Sequence, residues 1–66
     1  MIITLNGART EIADGTTVAG LITDVTGTAR GSAAVVDGEV VPRSAWPLTA
    51  LCEGQHVELI TAVQGG

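Results

Sequence analysis

Val18, Leu21, Ile22 and Val25 recur at i, i+3, i+4 and i+7, forming the one apolar stripe at helical spacing in this chain. A single amphipathic helix can cover one face of one small sheet, which selects a two-layer α+β domain. Thr16 or Thr17 is placed to cap the start of this helix, and Gly27 to stop it. Gly20 and the threonines weaken its intrinsic propensity, so packing must hold it in place. At 66 residues there is room for one domain. Such a domain buries only about 60% of its unfolded surface, and its core is thin.

The strands are written on either side of the helix. "MIITLNGARTEIA" predicts a hairpin around Asn6-Gly7, a pair suited to turn positions that need positive φ. Met1, Ile3 and Leu5 share one face of its first strand, with Ile2 and Thr4 on the other. After the short loop "TARGS", "AAVVDGEVVP" predicts two short β segments around Asp37-Gly38, ended by Pro42. "RSAWPLTALCEG" lacks strand alternation and predicts one helical or 3₁₀ turn near Trp46–Leu51, then a turn at Glu53-Gly54. The last strand, from His56 to Val63, sets Val57, Leu59, Thr61 and Val63 on one face and Glu58, Ile60 and Ala62 on the other. The order β-β-α-β-β-β satisfies a ubiquitin-like β-grasp, with its first and last strands parallel at the sheet centre. Residues 1–63 form this domain, and residues 64–66 form a flexible tail.

Composition excludes several functions. The net charge is −4 with no basic cluster, which argues against nucleic-acid binding. The acidic surface instead suits a basic partner face. Lysine is absent, so no side-chain amine can receive an isopeptide bond. One cysteine cannot form an internal disulfide, and the N-terminus carries neither a signal-peptide pattern nor a membrane span. The expected location is the cytoplasm, with no membrane association and a monomer when free.

No catalytic or metal-binding constellation is predicted. Cys52 reads as a small hydrophobe or a partly exposed thiol near a turn, with no ligand partner at metal spacing. His56 opens a strand, and an exposed or hydrogen-bonded ring suffices for it. A Cys52–His56 pair would lack an orienting third group and oxyanion donors. The seven carboxylates are scattered, several of them in turns. Trp46, the only aromatic residue, reads as a core or rim anchor.

The end of the chain stands out. The predicted strand runs to Val63, one residue short of Gly65-Gly66. Glycine has no Cβ, so such a tail lets a backbone carboxylate approach another protein's reacting groups through a slot too narrow for side chains. From Val63 the tail reaches about 10 Å.

These pieces together resemble the ubiquitin-like sulfur carriers, and among them the ThiS family of thiamine biosynthesis. The resemblance rests on "LNG" at 5–7, "DGTTVAGLI" at 14–22, "VDGEVVPRSAW" at 36–46, "EG" at 53–54, "VELITAV" at 57–63 and the terminal Gly-Gly. One residue departs from it. The family usually carries an acidic residue after the glycine of the last turn, where Gln55 stands.

The resemblance implies that the protein is a co-substrate and not an enzyme. An E1-like (ThiF-type) enzyme uses ATP to adenylate the Gly66 carboxylate. Sulfur from a cysteine desulfurase persulfide then displaces AMP, and the Gly66 thiocarboxylate passes its sulfur to thiazole synthase (ThiG-type). The carrier itself binds no cofactor. Gly65 and Gln64 are the expected tail-recognition residues, and Ile2, Ile60 and Ala62 an outward apolar docking patch. The chemistry at Gly66 is shared with molybdopterin-type carriers and with carriers for cysteine synthesis or tRNA thiolation. A non-covalent β-grasp adaptor and a small Cys/His enzyme are the readings from other classes.

Overall fold

Asn6 at φ 49° and Gly7 at φ 82° close the first hairpin, between β1 (Ile2–Leu5) and β2 (Ala8–Glu11). Both turn positions need positive φ, which Asn tolerates and Gly adopts freely. Asp37 and Gly38 repeat the device at φ 49° and 84°, joining β3 (Ser32–Val36) to β4 (Glu39–Val41). The computed structural model describes residues 1–27 and 32–61. Most of the "TARGS" loop lies outside them, although its Ser32 already belongs to β3.

The helix α1 (Val18–Thr26) starts at Thr17, whose Oγ1 accepts the Gly20 N–H at 3.1 Å. It ends at Gly27 (φ 75°), whose N–H bonds the Thr23 carbonyl. Inside it, Thr23 and Thr26 donate their hydroxyls to the carbonyls of Ala19 and Ile22. These residues favour the helix little by propensity, so the buried face must hold it. Val18, Leu21 and Ile22 are all 2% exposed or less.

Val25 corrects the predicted stripe. It lies on the same side by angle yet is 52% exposed.

Five strands pair in the order β2-β1-β5-β3-β4, where β5 is His56–Thr61. β1 and β5 are parallel neighbours, with Thr4 opposite His56 and Leu5 opposite Val57. β5 runs antiparallel to β3 along five residue pairs. The central position of β5 places Val57 and Leu59 in the core beside Ile3, Ala34 and the helix residues. One helix over a five-stranded mixed sheet is the small α+β ubiquitin-like fold expected.

The segment after β4 differs in detail from the sequence expectation. The 3₁₀ helix spans Arg43–Leu48, about three residues earlier than predicted. Pro42 sets the entry with φ −59°, and its carbonyl accepts the Ala45 N–H. Thr49–Leu51 then returns as extended chain alongside the helix N-terminus. Val18 N–H donates to the Thr49 carbonyl and Leu51 N–H to the Thr16 carbonyl, each at 2.9 Å. Trp46 is buried and donates Nε1–H to the Val41 carbonyl at 2.8 Å, so it is a core anchor. The Arg43 guanidinium sits 5.5 Å over its ring.

Candidate functional site

β5 is the strand that leads into the C-terminal segment, and its placement defines the candidate site. On one side it is laced to β3 from Ser32–Thr61 to Val36–Val57. On the other, Thr4 N–H donates to the Gln55 carbonyl and Asn6 N–H to the Val57 carbonyl, both at 2.9 Å. Beyond that rung β1 turns away, and the Asn6 side chain takes over. Its Oδ1 accepts the Leu59 N–H at 2.8 Å, and its Nδ2 donates to the Leu59 carbonyl at 3.4 Å. A central strand held on both sides is a rigid mount for whatever follows it.

Side chains alternate across β5 as predicted within the described residues. Val57 and Leu59 face the helix, and Ile60 is 55% exposed on the outer face. Ala62, Gln64, Gly65 and Gly66, all expected at the site, lie outside the described residues, as does Val63.

Ile2 and Ile60, expected side by side, lie apart on the sheet. Ile2 shares the outer face with Ile60, but the parallel register sets Thr4 beside His56. Six residues of strand therefore separate the two isoleucines, about 20 Å at 3.3 Å per residue. Ile2 sits at the end near Glu53, whose carboxylate accepts the Ile2 N–H at 3.0 Å. The apolar neighbours of Ile60 come from the second hairpin instead. Ala33 pairs with Ile60, and Val35 pairs with both Glu58 and Val40. Val40 is 72% exposed. Ala33, Val35 and Val40 are not singled out in the sequence reading, although "VVDGEVV" holds the signal for their shared face. A two-residue turn at Asp37-Gly38 forces Val35 opposite Val40, on the face away from Val36.

Other titratable groups are dispersed. Cys52 is exposed on the turn before β5. Its backbone N–H, not its thiol, is engaged there, with Gln55 Oε1 at 2.8 Å. His56 is exposed on the outer face beside Thr4. Among the described residues no group of His, Cys, Asp and Glu could hold a metal ion. Nor is any helix among them long and apolar enough to cross a membrane. An open hollow of about 510 Å³ lies beside the second hairpin, lined by residues including Val40, Pro42, Ala45 and Thr49. Asp37 at its rim is tied to structure, accepting from His56 N–H at 2.9 Å and from Gln55 Nε2 at 3.2 Å.

The ThiS family model matches residues 3–66, nearly the whole chain through its final two glycines. The chain belongs to the ThiS family. Solved structures agree with this. A crystal structure of the thiamine biosynthesis protein ThiS from Geobacter metallireducens superimposes with a TM-score of 0.83 at 28% identity, covering all of both chains. A solution structure of a thiamine biosynthesis protein from the same organism gives 0.83 at 27% identity, covering all of this chain and 88% of the other. No curated protein sequence is significantly similar. In this ThiS-family chain β5 is the last strand among the described residues before Gly65 and Gly66 in the sequence.

Proposed function

We propose that this protein is a sulfur carrier for thiazole formation in thiamine biosynthesis, with the Gly66 carboxylate as its working group. The observation that carries the proposal is the family match, which runs from β1 through Gly65 and Gly66. The domain supplies a recognition surface and a fixed strand. The chemistry belongs to partners: an E1-like (ThiF-type) adenylating enzyme, a persulfide-bearing cysteine desulfurase and a thiazole synthase (ThiG-type).

The steps follow from carboxylate chemistry. A free carboxylate resists nucleophiles because it is an anion with a poor leaving group. Attack of the Gly66 carboxylate on the α-phosphorus of ATP forms a mixed anhydride and releases pyrophosphate. A persulfide sulfur then attacks the carbonyl carbon, and AMP leaves. A thiol cleaves the S–S bond of the resulting acyl disulfide and is itself oxidised to a disulfide. Sulfur remains on Gly66 as a thiocarboxylate. Gln64 and Gly65 would be read by the enzyme channel, where the missing Cβ of Gly65 permits close approach. The outer face around Ile60 docks the activating enzyme, since an apolar patch on an acidic domain suits a partner interface.

The test is intact mass after incubation with the activating enzyme, ATP and a sulfur donor. One oxygen should be exchanged for sulfur, only with ATP, in the fragment ending at Gly66. Deleting Gly66 should abolish loading while the fold survives. It leaves the carboxylate about 3.5 Å short of its place, where misplacement by about 1 Å can already cost a hundredfold. Loading that persists in the deletion, or maps to another residue, excludes this mechanism.

A further inference from the structure

We infer that Asn6 is a positioning residue for the reactive end of this carrier, acting through the backbone of Leu59. The inference rests on the carrier reading above and adds to it a residue far away in sequence. Asn6 is a turn residue, and its φ of 49° fits that role. The turn alone does not require its side chain to point at β5. Yet both atoms of the amide face the same residue, 53 positions away.

The geometry explains the need. In a regular parallel ladder the carbonyl of residue 6 would accept the Leu59 N–H, and the N–H of residue 8 would donate to the Leu59 carbonyl. The hairpin turn prevents both, because the left-handed backbone at Asn6 swings β1 away. The Asn6 amide carries an acceptor and a donor spaced like those of a peptide unit, and it fills both vacated positions. β5 is thereby held on its β1 side up to Leu59, two residues beyond the last rung made by the β1 backbone. Without it, the final part of β5 would be held by β3 alone, with an open polar edge on its other side.

Gly66 is seven residues beyond Leu59. The direction in which β5 leaves the sheet sets where the tail begins its reach, and the rate of adenylation is sensitive to that placement. The outer docking face is secured separately through the β3 ladder. Loss of the amide should therefore act on turnover more than on binding.

The test uses Asn6→Gly, which keeps a turn able to adopt positive φ while removing the amide. Leu59 amide hydrogen exchange should accelerate about tenfold, whereas Glu58 and Ile60, bonded toward β3, should change little. Loading by the activating enzyme should fall about tenfold in kcat with KM within about twofold. Asn6→Asp retains the acceptor for Leu59 N–H and lacks the donor, and should lose part of the protection and part of the rate. Thr17→Ala, which lowers stability at the helix cap far from β5, serves as the stability-matched control and should load within about twofold of wild type. Unchanged Leu59 exchange or unchanged kcat in Asn6→Gly overturns the inference, as does an equal loss in Thr17→Ala. Wild-type protein that gains no sulfur is a different result. It overturns the carrier reading, while the exchange data still report on the clamp.

Discussion

Gln55 donates its Nε2–H to the Asp37 carboxylate at 3.2 Å while its Oε1 accepts the Cys52 N–H at 2.8 Å. One neutral amide thus ties the turn before β5 to the hairpin between β3 and β4. The sulfur carriers that this sequence resembles usually have an acidic residue here. In this chain an acid would meet Asp37, which already bonds the His56 N–H. Gln55 is the side chain that can satisfy a donor and an acceptor at once.

Gln55→Glu should therefore destabilise the fold by about 0.5–1 kcal/mol at low ionic strength, the size of a lost exposed hydrogen bond plus like-charge repulsion. Part of the loss should recover at high salt, because both groups are solvent-accessible and screened. Adding Asp37→Asn should also restore it, since Asn keeps an acceptor and tolerates the turn. Denaturant titrations at two salt concentrations decide the matter. Equal loss at both, with no rescue by Asp37→Asn, would remove the electrostatic explanation.

Ile22→Ala should cost about 3 kcal/mol, because Ile22 is fully buried and a cavity replaces it. A domain this small has little margin, and the variant should be partly unfolded at room temperature. Val25→Ala on the same helical stripe should change stability by no more than about 0.5 kcal/mol, its side chain being half exposed. Urea midpoints for the two variants measure how far the buried face extends.

Ile60→Asp should weaken binding to the activating enzyme at least about tenfold without unfolding the domain, since a charge would be buried unpaired in the interface. Val40→Asp should act in the same direction. Ile2→Asp should have the smaller effect on binding, lying at the far end of the face. Calorimetry or surface binding with each folded variant gives the ranking. If Ile2→Asp proves the most damaging, the interface is centred elsewhere on the sheet.

Cys52→Ser should leave sulfur loading within about twofold of wild type, because the proposed carrier atom is on the terminal carboxylate and the thiol is exposed on a turn. Mass spectrometry of the loaded variant reads this directly. A folded Cys52→Ser protein that fails to load would bring the thiol into the chemistry.

The local elements were legible in the sequence because local rules determine them. Asn6-Gly7 and Asp37-Gly38 are turns for reasons contained in two residues, and both hairpins form where predicted. The stripe from Val18 to Ile22 and the alternation of Val57, Leu59 and Ile60 announced which side chains would be buried. Gly65 and Gly66, together with the family resemblance, pointed to the proposed working end of the chain before any fold was known. What remained hidden depends on pairings between distant segments. Nothing near Ile2 or Ile60 states the β1–β5 register, which separates them along the sheet and gives Ile60 the company of Ala33, Val35 and Val40. Nothing around Asn6 reveals that its amide completes a strand 53 residues away. Nor does Gln55 show by itself that its partner is Asp37. A turn or a periodicity is governed by neighbouring residues, whereas register and side-chain bridges exist only once the strands have been brought together in space.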